Sequence, residues 1–428
     1  MKKIAIIISI ILLCLLLSSC MRTTLIPEGE KTSRSDNSHD QRVVLEFWHT
    51  YSEAETEVFE NKVIPLFESE HPGIKILAVR KDYTVQLKDD IFAAAIDNKH
   101  PDVMRMDIIW VPEFAKNGTI ADLSDMNGFE DIHKQFIGDL IKTNLYHDKY
   151  YGLPVNANTK VAIYNKKLLE KAGLDAPPAT FDVLIKAVKQ LQLQDPEMYG
   201  IGICCSSGWG TLPYFWTFGG KLTDENYKRA SGYLDHPESI AAIAKIQKLY
   251  NDGVISPSII GEEPGSWDGI LQGKLLMIEE AHWFYTVNSI GVNKDLLKDT
   301  VIGAFPDDVH KGTSIIGGEN LVLFNGSEHM TESWTFMKWM VTEKPQEIMA
   351  ETGLIPTIKN MQDINRNPLF TSYLQQLDRA LPRPPVSTWT DIDNIFARMI
   401  ELILIGERPL EEAIHDAVEE IDVLLSKQ

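Results

Sequence analysis

Gly269-Ile270-Leu271-Gln272-Gly273-Lys274-Leu275-Leu276-Met277-Ile278-Glu279-Glu280-Ala281-His282-Trp283 joins a glycine turn to a short apolar run, two carboxylates and a closing aromatic. The pattern predicts a helix end, a turn and then a strand that faces a ligand. A phosphate loop is excluded. That loop needs four residues between its glycines and a Ser or Thr after the lysine, so that backbone N–H groups and a hydroxyl converge on phosphate and Mg²⁺. Here three residues separate Gly269 from Gly273, and Leu275 follows Lys274.

At the N-terminus, Lys2-Lys3, the apolar run Ile4 to Leu17 and Ser18-Ser19 before Cys20 read as an export signal, too short to span a membrane as a mature helix. It resembles a bacterial lipoprotein signal over 1–20, which implies that Cys20 carries the lipid; an ordinary signal peptide with an incidental cysteine is the competing reading. Residues 21–41 are mostly polar and charged and cannot bury enough surface to offset chain entropy, so they are expected to be a flexible tether.

The chain has 428 residues, 41 Lys plus Arg against 61 Asp plus Glu, and a net charge of −20. Such a surface argues against nucleic acid, whose phosphates demand basic clusters. Of four cysteines, Cys14 and Cys20 belong to the signal, leaving the neighbours Cys204-Cys205. These could bridge or hold a soft metal, but without a third cysteine or a nearby histidine they read as two small buried residues, and no metal or cofactor is expected.

In chain order, Val43 to Phe47 reads as a strand, Ser52 opens a helix bearing Phe59, Val63, Leu66 and Phe67, and Ile74 to Val79 forms a second strand. Leu87 to Ile96 is a helix, a third strand ends between Asp107 and Trp110, and a helix over Glu113 to Lys116 stops at Gly118. This βα rhythm predicts a mainly parallel sheet with ligands beyond the carboxyl ends of its strands. Further helices are expected after Thr180, over Ser239 to Tyr250, around Trp334 to Val341 and in two C-terminal stripes, Ile392 to Ile403 and Leu410 to Leu425. Gly208 to Trp216 reads as a glycine-loosened loop carrying Trp209, Tyr214 and Trp216.

Phe47-Trp48-His49, His71-Pro72-Gly73, Pro101-Asp102-Val103, Phe114 to Gly118, Tyr151-Gly152-Leu153-Pro154 and Ile163-Tyr164-Asn165-Lys166 follow one another in an order that resembles the maltose-binding-like solute-binding proteins of ABC sugar importers. The likeness runs over 42–428. It implies an α/β, periplasmic-binding-protein-like fold of type II, with two lobes joined by crossover hinges: 42–153 plus 304–342, and 154–303 plus 343–428. It also implies a monomeric receptor, lipid-anchored on the extracytoplasmic face of the cell membrane, that hands a carbohydrate to transmembrane permease subunits.

A sugar site needs flat aromatic faces and planar hydrogen-bonding groups. The resemblance carries Asp107, Asn158, Tyr214, Trp216, Trp283 and Trp389 into that site. Trp209 from the glycine-rich stretch, and His49, Tyr51, Glu53, Tyr83 and Glu319 from ligand-facing loops, complete the expectation. Trp334 and Trp339, on a helix, are assigned to core. Catalytic residues are not expected: G-x-S-x-G, H-E-x-x-H and dinucleotide motifs are missing from the sequence. Two carboxylates, Asp107 with Glu279 or Glu280, could still imitate a surface glycoside hydrolase. A polyamine or a glycerol phosphate as ligand, and a sensor or adhesin role without a transporter, are also compatible with these residues.

Overall fold

In the computed structural model, residues 42–84, 86–286, 293–361 and 368–428 are described. The signal, Cys20 and the 21–41 tether therefore lie outside the described residues. Among the described residues, nine strands build the two larger sheets: β1 (Val43–His49), β2 (Ile74–Arg80), β3 (Val103–Asp107), β4 (Leu153–Asn158), β5 (Val161–Asn165), β6 (Tyr199–Gly202), β7 (Leu275–Glu280), β8 (Thr300–Gly303) and β9 (Gly317–Leu323). The first sheet runs β2-β1-β3-β9-β4 and the second β8-β5-β7-β6.

The expected parallel sheet is only partly present. β1 pairs parallel with β2 and β3, and β6 with β7, but β9 is antiparallel to both neighbours, as β5 is to β7 and β8. The βα rhythm governs only the first three strands. β9 returns from the second half of the chain and enters the first sheet from its opposite end, so it must run against β3.

Local chemistry sets the first unit. Leu45, Phe47 and His49 alternate onto one face of β1 and are all fully buried. Ser52 then caps Glu53–Val58 in a capping box, with Glu55 returning to the Ser52 backbone N–H at 2.8 Å. Phe59, Phe67, Phe336 and Trp339 pack on the β1 core, while Trp48, Met104, Ile91 and Phe114 fill the opposite face of the sheet. The helix Glu343–Ala350 adds Ile348 and Met349 to the β1 core.

The opening stretch folds largely as its residues predict. The helix Ser266–Leu271 ends at Gly273, whose φ of 72° suits glycine, and β7 follows. One expectation is corrected: β7 is buried along its whole length between β5 and β6, and only the residues after it reach the open cleft. The loop expected at Gly208 to Trp216 is the helix Gly208–Thr217, with Pro213 inside it. Proline removes the N–H that would have bonded the carbonyl of Trp209. Lys160 Nζ, 2.8 Å away, donates to that carbonyl instead.

Candidate functional site

A cleft of about 610 Å³ lies where the carboxyl ends of β1, β2 and β3 face the loops of the second sheet. β1 delivers Thr50 and Tyr51, β2 delivers Arg80, Lys81 and Tyr83, and β3 and β9 deliver Arg105, Asp107 and Glu319. Asn158, at the end of β4, extends the same side, and Trp209, His282, Trp283, Arg383 and Asp393 close the other.

The wall on the first sheet is a polar network. Glu319 and Asp107 stand opposite each other across β9 and β3. Arg105, two residues before Asp107 and so on the same face of β3, lies 2.9 Å from Glu319, donates to Asn156 and to Thr50, and sits 4.4 Å above the Tyr51 ring. Burial raises the Glu319 pKa above the ordinary carboxylate value, with Arg105 opposing the shift. Tyr83 donates to Asp107 at 2.8 Å and stacks on Trp110 at 5.4 Å between ring centres.

The opposite wall is aromatic. Trp209 and Trp283 meet with ring centres 5.7 Å apart at 31°. The Arg383 guanidinium lies 5.5 Å from the Trp209 ring centre, and Lys160 lies 4.9 Å from it. Gly317 completes the seat, since a Cβ there would come within 2.9 Å of the Trp209 ring. Behind it, Lys160 and Glu279 form a buried pair at 3.4 Å, and burial pushes Glu279 up to about 7. Asn158 Oδ1, His282 Nδ1 and Arg383 Nε make no hydrogen bond within the protein among the described residues.

Of the expected positions, the cleft brings together Tyr51, Tyr83, Asp107, Asn158, Trp209, Trp283 and Glu319. Five are placed elsewhere. His49 continues the Leu45–Phe47 face of β1 and is packed among Phe47, Tyr51 and Phe59. Burial and the nearby Arg105 depress its pKa to about 3. Glu53 is exposed on the first helical turn, because the capping box turns Glu55 toward the cleft in its place. Tyr214 and Trp216 sit on buried faces of the Gly208–Thr217 helix, with Tyr214 4.9 Å from Phe305, and only Trp209 in the first turn reaches the cleft. Trp389 shares a buried face with Ile392 and Phe396 on the helix Trp389–Leu404.

The sequence reading missed Arg105, Glu55, His282, Arg383 and Asp393. The first three carried signals: a period-2 step from Asp107, a capping-box spacing from Ser52, and a place beside Trp283. Arg383 in a proline-rich loop and Asp393 on a helix face had none.

A concave site at the carboxyl ends of strands in one sheet, faced by loops of a second, is the architecture of a two-lobed, type II periplasmic binding protein. The family model described as bacterial extracellular solute-binding protein matches residues 51–347, and the chain belongs to that family. The chain is 24% identical over 356 residues to the maltotriose-binding protein of Pyrococcus abyssi, covering 79% of this chain and 73% of that protein. It is 23% identical over 409 residues to the galactooligosaccharide-binding protein of Bacillus subtilis, covering 91% of each. The GacH receptor of Streptomyces glaucescens, solved unliganded and with acarbose, has the same fold: TM-score 0.78 at 24% identity, over 90% of this chain and 98% of that one.

Proposed function

We propose that this chain is the lipid-anchored receptor of an ABC importer, binding an oligosaccharide in the cleft and presenting it to the permease as a monomer. The observation that carries the sugar is the pairing of Trp209 and Trp283 opposite a polar wall: aromatic faces take the apolar faces of pyranose rings, while Asp107, Glu319, Asn158 and Arg383 meet hydroxyls. The names of the relatives, which bind maltotriose and galactooligosaccharide, support the same ligand class. Cys20 supplies the anchor in this reading. Cys20→Ala is expected to release the protein from cells or leave it as uncleaved precursor, and processed protein that stays on the membrane would contradict it.

The lobes of this proposal are 42–158 with 317–358, and 159–316 with the region after Ile358. All three crossings fall later than expected at 153, 303 and 342, because β4 belongs to the first sheet, Phe305 and Ile315 pack with the core of the second sheet, and Ile348, Met349, Leu354 and Ile358 pack in the β1 core.

Binding without turnover is the reading that the carboxylates favour. Glu279 is buried beside Lys160, and Glu280 accepts from Trp267 and from the Ala281 backbone, so neither faces Asp107 across the cleft. Asp107 and Glu319 come from adjacent strands of one wall, an arrangement that does not flank a scissile bond. Incubation with an oligosaccharide panel, followed by chromatography of the products, should return every sugar uncleaved.

A further inference from the structure

The loop between β6 and the Gly208–Thr217 helix carries Cys204 and Cys205, both free and both half-exposed rather than buried as their size had implied. Their sulfurs lie 3.3 Å apart. Lys160 Nζ is 4.0 Å from Cys204 Sγ, and Ser207 Oγ is 3.1 Å from Cys205 Sγ. An ammonium and a hydroxyl near Cys205 favour its thiolate, the nucleophilic form, while the hydrogen bond to Cys205 and burial raise the Cys204 thiol well above its ordinary value, with Lys160 opposing. The hydrogen bond from Cys204 lowers the Cys205 pKa to about 6; burial opposes the shift, while Ser207 and Lys160 favour it. The sugar site uses neither thiol.

We propose that Cys204-Cys205 is a redox modification site that closes to a disulfide on meeting a low-molecular-weight disulfide, and that closure displaces Trp209 in the cleft. Cys205 thiolate attacks one sulfur of the reagent, expels one thiolate and forms a mixed disulfide. Cys204, as its thiolate, then attacks the Cys205 sulfur and expels the second. The two protein thiols are oxidised, the reagent is reduced to two thiols, and the protons end on those thiols. An extracellular family meets the oxidising conditions in which such a bond persists.

Displacement follows from geometry. Adjacent Cα atoms are held about 3.8 Å apart, below the span of about 4.4–6.8 Å that disulfides usually take, so sulfurs now 3.3 Å apart can bond only in a strained ring that twists the Cys204-Cys205 peptide. The Cys205 carbonyl rests against Gly210, where no side chain would fit, and Thr211 Oγ1 donates to it at 3.4 Å. Gly210 and Thr211 belong to the same first turn as Trp209, whose own carbonyl is held by Lys160. Turning that peptide therefore moves the turn that carries the ring.

The test treats folded, full-length protein with oxidised glutathione and reads the tryptic peptide Gln190 to Lys221 by mass after alkylation. That peptide should become resistant to alkylation and lighter by two hydrogens, tryptophan emission should change, and dithiothreitol should reverse both. Cys204→Ser, or Cys204→Ala if the first variant folds poorly, should stop at the glutathione adduct with wild-type emission. Trp209→Phe should form the disulfide without the emission change. Thiols that stay alkylatable, a wild type that stops at the glutathione adduct, or a disulfide that leaves emission unchanged would each overturn the proposal. None of these readouts involves a sugar, so the result stands apart from the receptor reading.

Discussion

Trp209 and Trp283 touch each other and line the cleft, yet they hang from different supports: the first turn of a helix and the residues following β7. Each is half-exposed, so replacement with alanine should cost affinity more than stability. About 1–3 kcal/mol of binding is expected from either change, measured by calorimetric titration. Arg105 is the opposite case. It is 3% exposed and its charge is matched by Glu319, so Arg105→Leu leaves that half-buried carboxylate without its cation and should cost about 3 kcal/mol in urea unfolding. His282 adds a pH dependence. Burial, with Arg105 nearby, lowers its pKa from 6.5 to about 3, so the unfolded chain takes up the proton first. Its contribution is fully present above pH 6.5 and is lost as the pH falls toward about 3. His282→Gln should flatten stability over that window in denaturant titrations at stepped pH. At this scale the sequence was half legible. Glycine neighbours marked Trp209 and the family resemblance marked Trp283; Tyr214 and Trp216 differ from Trp209 only in helical phase, which was hidden while Gly208 to Trp216 read as a loop, and Trp389 joins the buried stripe of Ile392 and Phe396.

The elements that position the cleft were more legible than the side chains within it. Ser52 announced a helix start, and β1, β2 and Leu87–Ile96 fall where their periodicities put them. What could not be read locally was the pairing of β9, whose partners β3 and β4 lie more than 150 residues earlier and whose direction only the return of the chain decides. β9 also carries Gly317 against the Trp209 ring, so a methyl group there must push the indole aside. Gly317→Ala should weaken sugar binding about tenfold, the equivalent of roughly 1.4 kcal/mol, with a smaller change in unfolding free energy. An unchanged Kd would show that the ring seat on β9 is not used.

For the whole molecule, the account requires two walls that come together on a ligand: a charged, hydrogen-bonded one on the first sheet and an aromatic one on the second. Closure should shrink the radius of gyration in solution scattering when a saturating sugar is added, and an identical profile would argue for a rigid receptor. The central claim, that this cleft captures an oligosaccharide and does not process it, is tested most directly by isothermal titration of the purified protein against an oligosaccharide panel with polyamines included. The account predicts saturable binding of at least one oligosaccharide, one molecule per chain, weakened in Trp209→Ala and Trp283→Ala, with the sugar recovered intact. Heat from a polyamine alone, or cleavage of the bound sugar during the titration, would contradict it.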